Sequence, residues 1–225
     1  MIRACLMIAA SLAAMPALAA ERRFDVTGFD KVAVGGSDTV VIRRGNGFSV
    51  VATGAQADLD RLEIGVARGT LGIGRKSSLW NWSSRAVTIA VTLPALRGVS
   101  LGGSADVQAD AGAADVFDVK LGGSGDLAIG RIDARTVNAA VAGSGNLKAG
   151  GQCGALNLRL AGSGDADLSG LACTNADIRL AGSGDVQARA SGKAAISVAG
   201  SGDVTLTGGA TCSKKVAGSG SVVCR

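Results

Sequence analysis

The chain has 225 residues, 35 of them glycine, no histidine, no tyrosine and a formal net charge of +5. Without histidine the Ser-His-Asp and Cys-His mechanisms are excluded, and most metal-site chemistry loses its commonest ligand. Only 3% of the residues are aromatic, too few for the platforms on which single-stranded bases stack, so no nucleic-acid partner is expected.

Residues 1–20 read as a secretory signal peptide: Arg3, an apolar run from Ala4 to Leu18, and an Ala17-Leu18-Ala19 cleavage site before Ala20 or Glu21. The run is short and alanine-rich for a membrane anchor, and Cys5 stands ahead of it, where it leaves with the signal. No other stretch is long enough to be a transmembrane segment. Residues 21–225 are therefore expected to be one exported all-β domain, placed in the periplasm, on the cell surface or outside the cell. The basic excess is local, with 11 bases against 7 acids over residues 21–100, and reads as a solvated surface.

Residues 21–100 read as irregular N-terminal strands. Val32 and Val34 precede Gly35-Gly36-Ser37-Asp38, and Val40 and Ile42 follow it. Strand-like runs continue at Phe48–Ala52, Leu62–Ile64, Thr70–Ile73 and Val87–Leu93, where Pro94 marks a strand end. One helical turn is expected over Asp58–Leu62. Between two of these runs, "SLWNWSS" at residues 78–84 carries both tryptophans, Trp80 and Trp82, beside Arg75, Lys76 and Arg85. Two readings stay open: a lid over one end of the fold, or a partner-binding platform for a surface glycan or an envelope protein.

From residue 101 the chain repeats itself seven times. The motif serines are Ser104, Ser124, Ser144, Ser163, Ser183, Ser201 and Ser219, spaced by 20, 20, 19, 20, 18 and 18 residues. Counted from each serine, positions −5, −3, +3 and +5 are mostly apolar, with polar or small residues between them. That is the two-residue alternation of a strand with one face buried. Position +2 holds Asp106, Asp126, Asn146, Asp165, Asp185, Asp203 and Ser221. A corner at fixed phase lets each strand stack in parallel on its equivalent one repeat later, which predicts a right-handed parallel β-helix, or β-solenoid, with coils of about 18–20 residues. The glycines supply the bend, and the Ser and Asp side chains are expected to satisfy backbone N–H groups at it. With a single acidic row, no cofactor is expected; calcium remains the weaker alternative.

The same phase orders the cysteines. Cys153 and Cys173 each lie ten residues before a motif serine, so adjacent coils bring them together, inside bridging range. Cys212 and Cys224 fall at inward phases of the last coil and pair across it. The predicted disulfides are Cys153–Cys173 and Cys212–Cys224, in keeping with export.

The glycine-serine-glycine-aspartate corners, the lead-in "VTIAVTLPALRGVSLGGSADV" and the terminal "VAGSGSV" together resemble the head GIN domain of putative auto-transporter adhesins. The resemblance spans residues 24–223 and implies a right-handed β-helix-like fold; it brings no catalytic residues. The expected function is a non-enzymatic β-solenoid serving as an adhesin or cell-envelope interaction module. A polysaccharide-active β-helix enzyme and a purely structural envelope protein are the alternatives.

Overall fold

The computed structural model describes residues 19–76 and 85–225. Its strands in chain order are β1 (Ala20–Phe24), β2 (Lys31–Gly36), β3 (Thr39–Arg44), β4 (Ser49–Gly54), β5 (Leu62–Ala67), β6 (Thr70–Arg75), β7 (Thr88–Leu93) and β8 (Gly98–Gly103). Then follow β9 (Asp106–Gly123), β10 (Leu127–Gly143), β11 (Leu147–Gly162), β12 (Ala166–Gly182), β13 (Val186–Ala190), β14 (Lys193–Gly200), β15 (Val204–Thr207), β16 (Thr211–Gly218) and β17 (Val222–Cys224). One short helix, α1 (Gln56–Leu59), precedes β5. It lies earlier than the Asp58–Leu62 turn expected from sequence, because Leu62 is already a strand residue opposite Arg75.

From β8 onward each coil stacks in parallel on the next, with Leu101 opposite Leu121, Val141 opposite Leu160, and Leu180 opposite Val198. The inward columns are those the alternation predicts: at position −3, Leu101, Leu121, Val141, Leu160, Leu180 and Val198 are all buried. Burying each such side chain is worth about 1.5–3 kcal/mol. An additional inward column at −7 tapers along the stack from Phe117 through Val137 and Leu156 to Ala176 and Ala194.

The lead-in is more regular than expected. Its Gly35–Asp38 stretch is a true corner, with Gly36 opposite Gly103 and Thr39 opposite Asp106. A further layer, β6 and β7, lies on the other side of β2 and β3, also in parallel. The coil formed first in sequence is thus sandwiched between two formed later. Antiparallel strands then close this end: β5 on β6, β4 on β7, and β1 on β4. At the opposite end β16 and β17 are the last layer, held by β14 and β15, and Val216 is 46% exposed. Lys214 replaces the usual apolar residue at −5 there, and its Nζ donates to the Val222 carbonyl at 3.1 Å.

Candidate binding surfaces

The corner explains its two glycines separately. The one before the serine has positive φ, from 105° at Gly103 to 139° at Gly182. The one after it has no room: a Cβ on Gly164 would sit 2.0 Å from the Gly145 carbonyl oxygen of the preceding coil. Backbone pairing is complete there, since the Gly143 carbonyl accepts N–H groups from both Ser163 (2.9 Å) and Gly164 (3.1 Å). The motif serines are exposed, and from Ser104 to Ser201 they contribute their N–H, not the hydroxyl, to this pairing. The +2 column behaves as expected of an N–H acceptor. Asp126 Oδ1 takes the N–H of Asn146 (3.1 Å), Asn146 Oδ1 that of Asp165, Asp165 that of Asp185 (2.8 Å), Asp185 that of Asp203, and Asp203 that of Ser221. Among the described residues no group of three His, Cys, Asp or Glu side chains is placed to hold a metal ion.

Trp80 and Trp82 lie outside the described residues, but the flanks of their segment are defined. Arg75 faces inward, with only 14% of its side chain exposed, and contacts Asp38 through both Nε (2.9 Å) and Nη2. Its Nη1 reaches Asp58 at 3.3 Å, and Nη2 also donates to the Arg85 carbonyl at 2.8 Å. Asp38 in turn accepts the Val87 N–H at 2.9 Å. The Asp38 hydrogen bond, reinforced by both carboxylates and opposed by burial, raises the guanidinium above its ordinary pKa. Arg75 thus ties the two flanks of the segment to the frame, while Lys76 and Arg85 are exposed. The sequence clue to the clamp was Asp38 itself, which stands in the column where Gly125 and its successors follow the serine.

A second surface was not singled out by any motif. On the outward side of the strands that precede the corners, positions −6 and −4 form two parallel columns. The −6 column runs Asp118, Asn138, Asn157, Asp177, and the −4 column runs Lys120, Ala140, Arg159, Arg179; together they line a groove of about 380 Å³. Two more open depressions adjoin it, a larger one of about 640 Å³ that runs past Asn175, Lys193 and Ala195 to Ser213, and one of about 340 Å³ that reaches Ser197 and Lys215. Asn157 Nδ2 donates to Asn138 Oδ1 at 3.0 Å, and Asn138 Nδ2 to Asp118 at 3.2 Å. Asp118 is paired with Lys31 (3.4 Å) and Asp177 with Arg179 (3.3 Å). Among the described residues neither Lys120 nor Arg159 takes part in an ion pair.

The disulfides are Cys153–Cys173, with Cα atoms 4.4 Å apart, and Cys212–Cys224, at 6.7 Å. Among the described residues no helix is long and apolar enough to cross a membrane.

Several solved structures share this fold. A putative adhesin from Bacteroides fragilis aligns with a TM-score of 0.87 at 21% identity, over 93% of this chain and 98% of that one. A putative lipid binding protein from Parabacteroides distasonis gives 0.73 at 20% identity, over 93% and 97%. A putative adhesin from Parabacteroides merdae gives 0.65 at 14% identity, over 93% and 97%. No curated protein matches the sequence. The family model described as putative auto-transporter adhesin, head GIN domain, matches residues 28–210, and the chain belongs to that family.

Proposed function

We propose that the chain is an exported, non-enzymatic binding module of adhesin type. The observation that carries this reading is the groove along the solenoid. Its outward side chains are held in register by the backbone ladder, so a partner meets a rigid surface and little ordering has to be paid on contact. Its two acids are occupied by Lys31 and Arg179, a state suited to recognition rather than to proton transfer. Two disulfides and membership of an adhesin family support export. The segment with Trp80 and Trp82, flanked by exposed Lys76 and Arg85, is a second proposed contact element, since indole beside guanidinium is a common binding hot spot.

The test applies labelled protein to intact bacterial cells and to immobilised envelope glycans. Saturable binding with no shortening of the glycan is expected. Depolymerisation would favour a polysaccharide-active enzyme, and failure to bind any surface would favour a structural spacer. Replacing Trp80 and Trp82 by Ala should weaken binding without changing the β signature if that segment is a contact element.

A further inference from the structure

We infer that the groove between the −6 and −4 columns takes a carboxylated glycan chain laid along the solenoid axis. The inference rests on the binding-module reading and names its ligand class. Equivalent residues recur at the strand spacing of about 4.8 Å, so a linear polymer of similar repeat length meets one coil per unit. An extended chain of pyranose units has such a repeat.

The charge pattern selects the chain's chemistry. Lys120 and Arg159 are two coils apart, roughly 10 Å by the strand spacing, and neither has an acidic partner among the described residues. Ala140 stands between them in the same column and leaves the floor open. A carboxylate above this gap meets a guanidinium fork on one side and an ammonium on the other. Across from it, the amides of Asn138 and Asn157 each spend one N–H on the ladder. Each amide keeps a second N–H, and Asn157 keeps its Oδ1, the complement of sugar hydroxyls.

Asp118 and Asp177 at the ends of this stretch argue against a polymer with an anionic group at every step, a polynucleotide included. A glycan that carries its carboxylate on alternate sugars presents hydroxyls there, from which both side chains can accept. The groove also offers no aromatic face on which a base could stack.

The test is calorimetric titration of the disulfide-bonded protein with hyaluronan fragments, which carry a carboxylate on every second sugar, and with polygalacturonate, which carries one on every sugar. Dextran of similar length serves as the neutral control, with single-stranded DNA as a further arm. A carboxylated glycan should bind, with affinity falling as salt rises, and dextran should not. K120A/R159A should weaken that binding by about tenfold or more, as expected for two charge-assisted contacts. Both side chains are exposed, so the variant should unfold at the wild-type temperature, and R159K should retain part of the affinity. Unchanged binding in K120A/R159A overturns the inference, as does tighter binding of DNA to the same groove. If the protein binds cells but neither carboxylated glycan, this inference falls and the binding-module reading stands. If it binds neither cells nor glycans, both fall.

Discussion

Asp38 and Arg75 form a buried ion pair 37 residues apart in sequence, joining the first corner of the solenoid to the layer stacked outside it. Removing the carboxylate leaves a largely buried guanidinium with Asp58 as its remaining acidic partner. D38A should therefore destabilise the fold by about 3 kcal/mol, as for other broken buried pairs. R85A, at an exposed position, should change stability by no more than about 0.5 kcal/mol. Urea denaturation of both variants measures the contrast, and equal effects would show that the pair does not hold this end together.

The glycine after each serine is required by space. G164A should cost about 2–3 kcal/mol, the usual penalty for overpacking, because its Cβ would press on a backbone carbonyl at 2.0 Å. Gly170 is exposed, and a Cβ there would be 3.5 Å from its nearest neighbour. G170A should be tolerated. Thermal unfolding of the two proteins provides the comparison, and a tolerated G164A would refute the stacking argument.

The aspartate column works as a row of acceptors. Asn146 already fills one position with an amide, so D165N should change stability less than D165A, which leaves the Asp185 N–H unpaired and should cost about 1 kcal/mol. On the same logic, EDTA should leave the melting temperature nearly unchanged. A large loss restored by calcium would mean that the column is held by cations.

The two disulfides have different jobs. Cys153–Cys173 ties adjacent coils in mid-stack, whereas Cys212–Cys224 closes the final layer. Hydrogen exchange should show lost protection confined to β16 and β17 in C212S/C224S, because those strands have partners on one side. C153S/C173S should leave that end protected. Non-reducing peptide mapping that joins Cys153 to Cys212 or Cys224 would refute the pairing.

Ser169 sets the behaviour of Asp167 in acid. Its hydroxyl donates to the carboxylate at 2.6 Å, with help from its N–H and from Lys148, and lowers the Asp167 pKa below the ordinary value of 3.8. A lowered carboxylate stabilises the fold above its unfolded pKa, and that contribution is lost as pH falls through the folded value. S169A should move the Asp167 titration upward toward the ordinary value, which shrinks the contribution and ends its loss at higher pH; an NMR titration of the side chain gives the answer. An unmoved titration would assign the shift elsewhere.

How far the sequence could be read depended on where each residue's neighbours lie. In the repeats every side chain stacks on its equivalent about twenty residues away, so one alternation pattern and one corner phase determine environment, register and partner. That is why Leu160, Asp165 and the cysteine pair 153–173 were legible from spacing alone. In the lead-in, Lys31 pairs with Gly98 on one side and Thr70 on the other, and no period links them. β2 and β3 each have two edges, and β8 and β9 occupy one while β6 and β7 occupy the other. Arg75 looked like a free contact residue beside the tryptophans because its partner, Asp38, belongs to a different layer. The groove was legible on one side only: the repeat phase puts Arg159 and Arg179 in one outward column, but it did not single out the column beside them. Asp118, Asn138, Asn157 and Asp177 fall in no motif, since exposed positions carry no packing constraint. Only stacking the coils in register turns four scattered polar residues into a column beside Lys120 and Arg159.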